Sequence, residues 1–339
     1  MPGESRGGVV RAVVVFAVGL ALGFGGLYLV AGDQVFRIET YRVRDPSLLV
    51  AMLCVVAFIA EWFLMDSARI WLLCRNQKIP LPFRSAILVH LTSMFVASVT
   101  PGNVGVGPTT TVALRRLGVP FGKGVGVAIQ VFIFDMIFFA WAVPVSLGYL
   151  IYSHILRLPP IPEFAAFAIA GLAIVGAVFL TRYPRPVVRL ILSIATLRLL
   201  SRFASRIRGT ARDYYRGAIA FRNMAFSTWL KINLVVTGGW FSGFVLFWLL
   251  LKLYGVEADL PATLAILSSV TLVSHLVPTP GGSGFMEAAL GLSIGSGGGA
   301  AAALLIWRLA SYHAIFLLGP PAAWLLYLSE PVTVKDGDT

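Results

Sequence analysis

Long apolar runs set the reading of this chain. Charge is missing from Ala12–Gly32, Ser47–Ala60, Phe164–Thr181 and Ile232–Leu251, and from Gly124–Gln130 continuing to Tyr152 but for Asp135. About 20 apolar residues at 1.5 Å per residue cross the hydrocarbon core of a bilayer. The pattern predicts spanning helices over Val9–Ala31, Ser47–Cys74, Gly124–Tyr152, Phe164–Leu180, Ser227–Leu251 and Ala300–Leu328. Two further apolar segments are broken too soon to span. Ser85–Val99 stops at Thr100–Pro108 and resumes as Thr109–Leu114; Ala262–Val277 stops at Pro278–Gly284 and resumes as Phe285–Ile294. Arms this short predict re-entrant helical hairpins, which are tolerated where the broken backbone faces protein or a water-filled cavity. The expected fold is an all-α polytopic membrane protein with about six spanning helices and two re-entrant hairpins.

The break motifs repeat. Thr100-Pro101-Gly102-x-x-Gly105-Val106 matches Thr279-Pro280-Gly281-x-x-Gly284-Phe285, and each is preceded by two helices and followed by one. The halves would enter from opposite faces, giving an inverted repeat of the kind transporters use. The division expected is a first membrane repeat over 1–160 (hairpin 85–114), a second over 161–328 (basic segment 182–222, hairpin 262–295), and a short tail over 329–339.

Charge orients this arrangement. The chain is 339 residues long and carries 27 Lys and Arg against 15 Asp and Glu, for a net charge of +12. Arg6, Arg11, Arg75, Lys78, Arg84, Arg115, Arg116 and the arginines of 182–222 fall on one side of the six-span scheme, Glu257 and Asp259 on the other. The positive-inside rule then puts both termini in the cytoplasm and the protein in the cytoplasmic membrane. The N-terminal run is too long for a signal peptide and lacks a small-residue cleavage site. Only 12% of residues are charged and 58% are apolar, against about 25% charged in a soluble domain. The basic excess is therefore read as lipid-facing, with no nucleic-acid partner. Arg198, Arg202 and Arg206 recur every fourth residue among Leu199, Leu200 and Phe203, as in an interfacial helix resting on anionic headgroups; a solvated loop is the alternative. Two cysteines and four scattered histidines give no disulfide framework, metal site or cofactor.

At the second break the chain resembles a known family. Pro280-Gly281-Gly282-Ser283-Gly284-Phe285-Met286-Glu287 is similar to the Pro-Gly-Gly-x-Gly-x-x-Glu signature of the lysylphosphatidylglycerol synthase membrane domain, also called flippase-like. Arg69-Ile70-Trp71-Leu72-Leu73, Pro101-Gly102-x-x-Gly105, Arg115-Arg116-Leu117-Gly118-Val119, Arg308 and Tyr312 agree with it. The resemblance implies a lipid translocase like the membrane half of the multiple peptide resistance factor. Val106 and Thr109 stand where that family commonly has an acid and an arginine, and Val131 and Phe132 where a Glu-Arg pair precedes the aspartate. Eleven residues follow Leu328, so no aminoacyl-transferase domain and no lysyl transfer are expected.

The candidate site gathers the intramembrane polar residues. A charge near the bilayer centre costs at least ~2.5–3.5 kcal/mol on insertion scales, so Asp135, Glu287 and Arg308 need a reason to be there. With His275 they form the expected cluster: one acid pairs with Arg308 and the other binds substrate or titrates. A structural Asp135–Arg308 pair is the alternative. Pro101, Gly102, Gly105, Pro280, Gly281, Gly282 and Gly284 place helix N-termini at mid-depth, where N–H groups suit a phosphate; Tyr312 lies one turn beyond Arg308. The competing reading has Glu287 capping its own helix and the glycines only making a sharp turn. Asp66 and Arg69 are three apart and read as a local pair. Ser268, Ser269, Thr271 and Ser274 read as bonding back to their own helix. No nucleophile–base arrangement or nucleotide loop appears, so the chain is not read as an enzyme. The expected function is movement of a phospholipid or polyprenyl-linked lipid between leaflets. The alternatives are a non-transporting partner of a separate synthase or glycosyltransferase, and a small-solute transporter.

Overall fold

The computed structural model describes residues 48–155, 183–195, 221–295 and 297–329, with isolated positions elsewhere. These residues are almost wholly helical: α1 Leu48–Asn76, α2 Phe83–Ser98, α3 Val106–Arg116, α4 Phe121–Tyr152, α5 Pro184–Ala195, α6 Phe226–Leu253, α7 Leu260–Ser274, α8 Phe285–Ile294, α9 Gly298–Arg308 and α10 Ala314–Leu328. A short π-helical stretch, Leu309–His313, joins α9 to α10. The chain is an all-α membrane protein. Among the described residues, Phe121–Tyr152, Phe226–Leu253 and Gly298–Leu328 are long and apolar enough to cross a bilayer. The 29-residue α1 is as long but carries Glu61, Asp66, Arg69 and Arg75. The helices expected over 9–31 and 164–180, and Arg198, Arg202 and Arg206, lie outside the described residues apart from isolated positions.

Helix ends follow local chemistry. α7 starts where Asp259 accepts a 3.0 Å bond from the Ala262 amide, satisfying one of the four orphan N–H groups of a helix N-terminus. α2 and α7 both stop ahead of a Pro-Gly pair, whose glycines take φ values of +60° (Gly102) and +57° (Gly281).

Small residues set the packing. α1 and α6 run antiparallel, with Gly243 against the Phe58 ring and Gly239 against Met65. Gly319 of α10 packs against Phe95 of α2 so closely that a Cβ would lie 2.3 Å from the Phe95 Cβ. In lipid, where apolar burial offers no gain over the solvent, such close approach is what holds helices together. The most extensive pairings are α1 with α6, α2 with α10, α4 with α7 and α3 with α4. Exchanging α1–α4 for α6, α7, α8 and the joined α9–α10 returns the first three of these pairings, though not the fourth.

The molecule has two ends. At one, Arg116 of α3 donates a 2.5 Å bond to the Tyr327 carbonyl of α10. The loops 77–82 and 117–120 lie here, with the start of α6, and so do Arg75, Lys78, Arg84, Arg115, Arg116, Lys123 and Arg222. At the other, the Tyr149 hydroxyl donates to Asp259 at 2.8 Å and Trp248 to the Ala258 carbonyl at 2.9 Å. α2 and α3 form a helix–break–helix hairpin rooted in the basic end. α7 and α8 form one rooted in the opposite end.

Candidate functional site

The two hairpins meet at their tips. Pro101 and Pro280 form an antiparallel backbone bridge, and a Cβ on Gly102 would come 3.3 Å from the His275 carbonyl oxygen. The Tyr312 hydroxyl donates a 2.9 Å bond to the Ser98 carbonyl at the end of α2, so the π stretch and both tips form one unit.

Around the second tip the charged groups are buried and paired. Arg308 Nε donates to Glu287 Oε1 at 2.5 Å, and the two residues are 4% and 1% exposed. The guanidinium also donates to Ser283 Oγ (3.1 Å) and the Gly281 carbonyl (3.3 Å), and lies 4.6 Å over the Tyr312 ring. Glu287 Oε2 accepts a 2.6 Å bond from the Gly284 amide, capping α8. Such a pair offsets the desolvation of both ions only because each also has further hydrogen bonds.

Of the two readings of the second tip, the geometry is that of the competing one. The α8 N-terminus, read as a phosphate cradle, is filled by Glu287. The glycines pack protein against protein: a Cβ on Gly281 would enter the Tyr312 ring, one on Gly282 would lie 2.8 Å from Ser274 Cβ, and one on Gly105 would lie 2.8 Å from Thr100 Oγ1. At the first tip the amide of Gly105 donates to Thr100 Oγ1 at 2.9 Å, and the first turn of α3 holds no acid. The exposed tip residues are Pro101, Val104, Leu276 and Pro278.

The single expected cluster is in fact two. Asp135 pairs not with Arg308 but with Arg69 of α1, at 2.5 Å, and Arg69 also holds Asp66 at 3.0 Å. The local Asp66–Arg69 pair is therefore present, with a third member from α4. Trp240 of α6 donates to Asp135 at 3.3 Å. His275 stands between the clusters: its Nδ1 contacts the Thr271 carbonyl at 2.7 Å, and its ring packs on Phe139 and Trp240. Ser268, Ser269 and Ser274 bond back to carbonyls of α7.

Sequence reasoning passed over Arg69 as a long-range partner, and over His90, Ser98, Trp240 and Ser283. An arginine inside an apolar run announces that it needs an acid, but which helix supplies that acid is set by packing and not by spacing.

Residues 9–319 match the family described as the lysylphosphatidylglycerol synthase TM region. The chain belongs to that family. The match takes in both hairpins, the Asp66–Arg69–Asp135 group and the Glu287–Arg308 pair. A UPF0104 membrane protein of Archaeoglobus fulgidus is a more distant relative, 24% identical over 287 residues that cover 79% of this chain and 84% of the relative.

Proposed function

We propose that this member of the family is a lipid translocase, moving a phospholipid or polyprenyl-linked lipid between leaflets without altering it chemically. The observation that carries the reading is the Pro101–Pro280 contact: two broken hairpins, rooted at opposite ends, meet tip to tip. Irregular backbone at membrane depth is tolerated where it is buried in protein or lines a cavity, and paired broken helices are the usual setting of a transported group. The exchangeable helix pairings support an inverted repeat, and the hairpins are re-entrant in this reading.

Charge supports the orientation. The end with Arg75, Lys78, Arg84, Arg115, Arg116 and Lys123 faces the cytoplasm by the positive-inside rule, and the end with Glu257 and Asp259 faces out. Both termini are then cytoplasmic. Arg198, Arg202 and Arg206 would rest on anionic lipid, and a synthase or glycosyltransferase that makes the lipid is the natural partner.

The test is movement of a headgroup-labelled lipid in proteoliposomes, read by loss of protection from an impermeant quencher. Protein-dependent movement supports the reading. Its absence with several lipid classes, in folded protein, leaves the non-transporting partner.

A further inference from the structure

The group around Arg69 is not charge-balanced. Two carboxylates, Asp66 and Asp135, share one guanidinium, and side-chain exposures are 17% for Asp66, 22% for Asp135 and 8% for Arg69. A second feature points into the same place. His90 of α2 is 2% exposed, and its Nε2 has no hydrogen-bond partner. That nitrogen lies 3.9 Å from Asp66 Oδ2, too far for a hydrogen bond, while the ring packs against Trp62 and Phe63.

We propose that Asp66 and His90 bind one proton between them, and that this proton moves in step with the transported lipid. The proton sits between Asp66 Oδ2 and the Nε2 lone pair of His90, closing the gap to a hydrogen bond; on release it passes to water and leaves the imidazole neutral. Whether the pair is written as acid and imidazole or as carboxylate and imidazolium, binding raises the charge of the group by one. With His90 neutral, Asp66, Arg69 and Asp135 carry one negative charge, which the proton cancels. That matters in a bilayer, where a net charge is costly to move or re-expose.

The surroundings fit this use. From α1, Glu61 also faces Asp66, and its Oε2 has no partner. α6 presents Trp240 to Asp135 and Ser242 to Glu61. α7 brings His275 to the far side of Trp240. Arg308 and Glu287 are occupied with each other, and His313 of the π stretch lies on the Arg308 carbonyl. Towards the basic end, Gln77 donates to the buried Gln130 at 3.3 Å, placing polar side chains between the loop and Asp135. A metal ion is a poorer occupant: among the described residues no three His, Cys, Asp or Glu are arranged to hold one.

Only the coupling rests on the translocase reading, so the test has two arms. In the first, the chain is labelled with nitrogen-15 histidine, reconstituted in bilayers and followed by solid-state NMR over a pH series, with His90→Gln to assign the signal. The Nε2 resonance of His90 is expected to move with pH, to lose that movement in Asp66→Asn, and to ignore sodium. A resonance unmoved across the pH range of folded protein, or one moving equally in Asp66→Asn, overturns the site. In the second arm, labelled-lipid movement is measured with and without a pH gradient. The gradient is expected to change the wild-type rate severalfold and to leave His90→Gln indifferent. Lipid movement in the wild type that ignores the gradient overturns the coupling. No lipid movement under any condition overturns the translocase reading instead, while the NMR titration still decides the proton site.

Discussion

Pro101 and Pro280, from the two broken hairpins, form an antiparallel bridge that joins the halves of the molecule. Opposed residues in such a bridge have Cα atoms about 4.5–5.5 Å apart, within the span of a disulfide. In a background lacking Cys54 and Cys74, cysteines at 101 and 280 are expected to cross-link on mild oxidation. The link should stop lipid movement if the tips part during transport, and a reductant should restore it. Failure to cross-link in folded protein would deny the contact.

The Glu287–Arg308 pair makes a separate forecast about stability. Removing one member of a buried pair leaves the other charge uncompensated, at about 3–5 kcal/mol. Arg308→Ala and Glu287→Gln should each lower the unfolding temperature in detergent. The double variant Glu287→Gln/Arg308→Met should recover a good part of the loss, giving a coupling well outside additivity. Additive losses would mean that the two side chains are not partners.

Gly281 is fixed by two independent constraints, a φ of +57° and the Tyr312 ring where a Cβ would stand. Gly281→Ala is therefore expected to be strongly destabilising. Tyr312→Ala in the same chain should recover only part of the loss, because about 1–2 kcal/mol of backbone cost remains whatever the neighbour. Thermal scans of the three variants would decide; full rescue would leave the backbone term without support.

Sidedness can be read directly. Single cysteines replacing Lys78, Lys123 and Glu257, again without Cys54 and Cys74, should label with an impermeant thiol reagent in two groups. Positions 78 and 123 are expected on the cytoplasmic side and 257 on the other. Labelling of 123 and 257 from one side would overturn the arrangement of ends.

Much of the fold was legible in the sequence because hydrophobic length reports helix length. The run Gly124–Tyr152 became Phe121–Tyr152, and Ser227–Leu251 became Phe226–Leu253. The breaks at Thr100–Gly105 and Thr279–Gly284 were equally plain, since proline and glycine fall together there, although Gly319-Pro320-Pro321 is carried within α10. The site was legible only in part. Glu287, Arg308 and Asp135 stood out because charge is rare in apolar runs, and one acid was expected on Arg308, but Arg69 as the partner of Asp135 was not foreseen. Depth along each helix follows from counting residues. Rotation about its axis, which sends Asp135 towards Arg69 and Arg308 towards Glu287, depends on how the helices pack. The glycines of the tips misled for a related reason: they signal close approach to something, and here that is Tyr312, Ser274 and Thr100 and not a headgroup.

On the proposed function the joined tips form a path for lipid, and one measurement tests that claim most directly. Purified protein in unilamellar vesicles, with a trace of headgroup-labelled anionic phospholipid, is challenged with an impermeant quencher. The wild type is expected to expose inner-leaflet label at a rate proportional to protein per vesicle, and the oxidised 101–280 cross-linked form should hold that label protected. Equal exposure in both forms, or protection in both with fully folded protein, would contradict the claim.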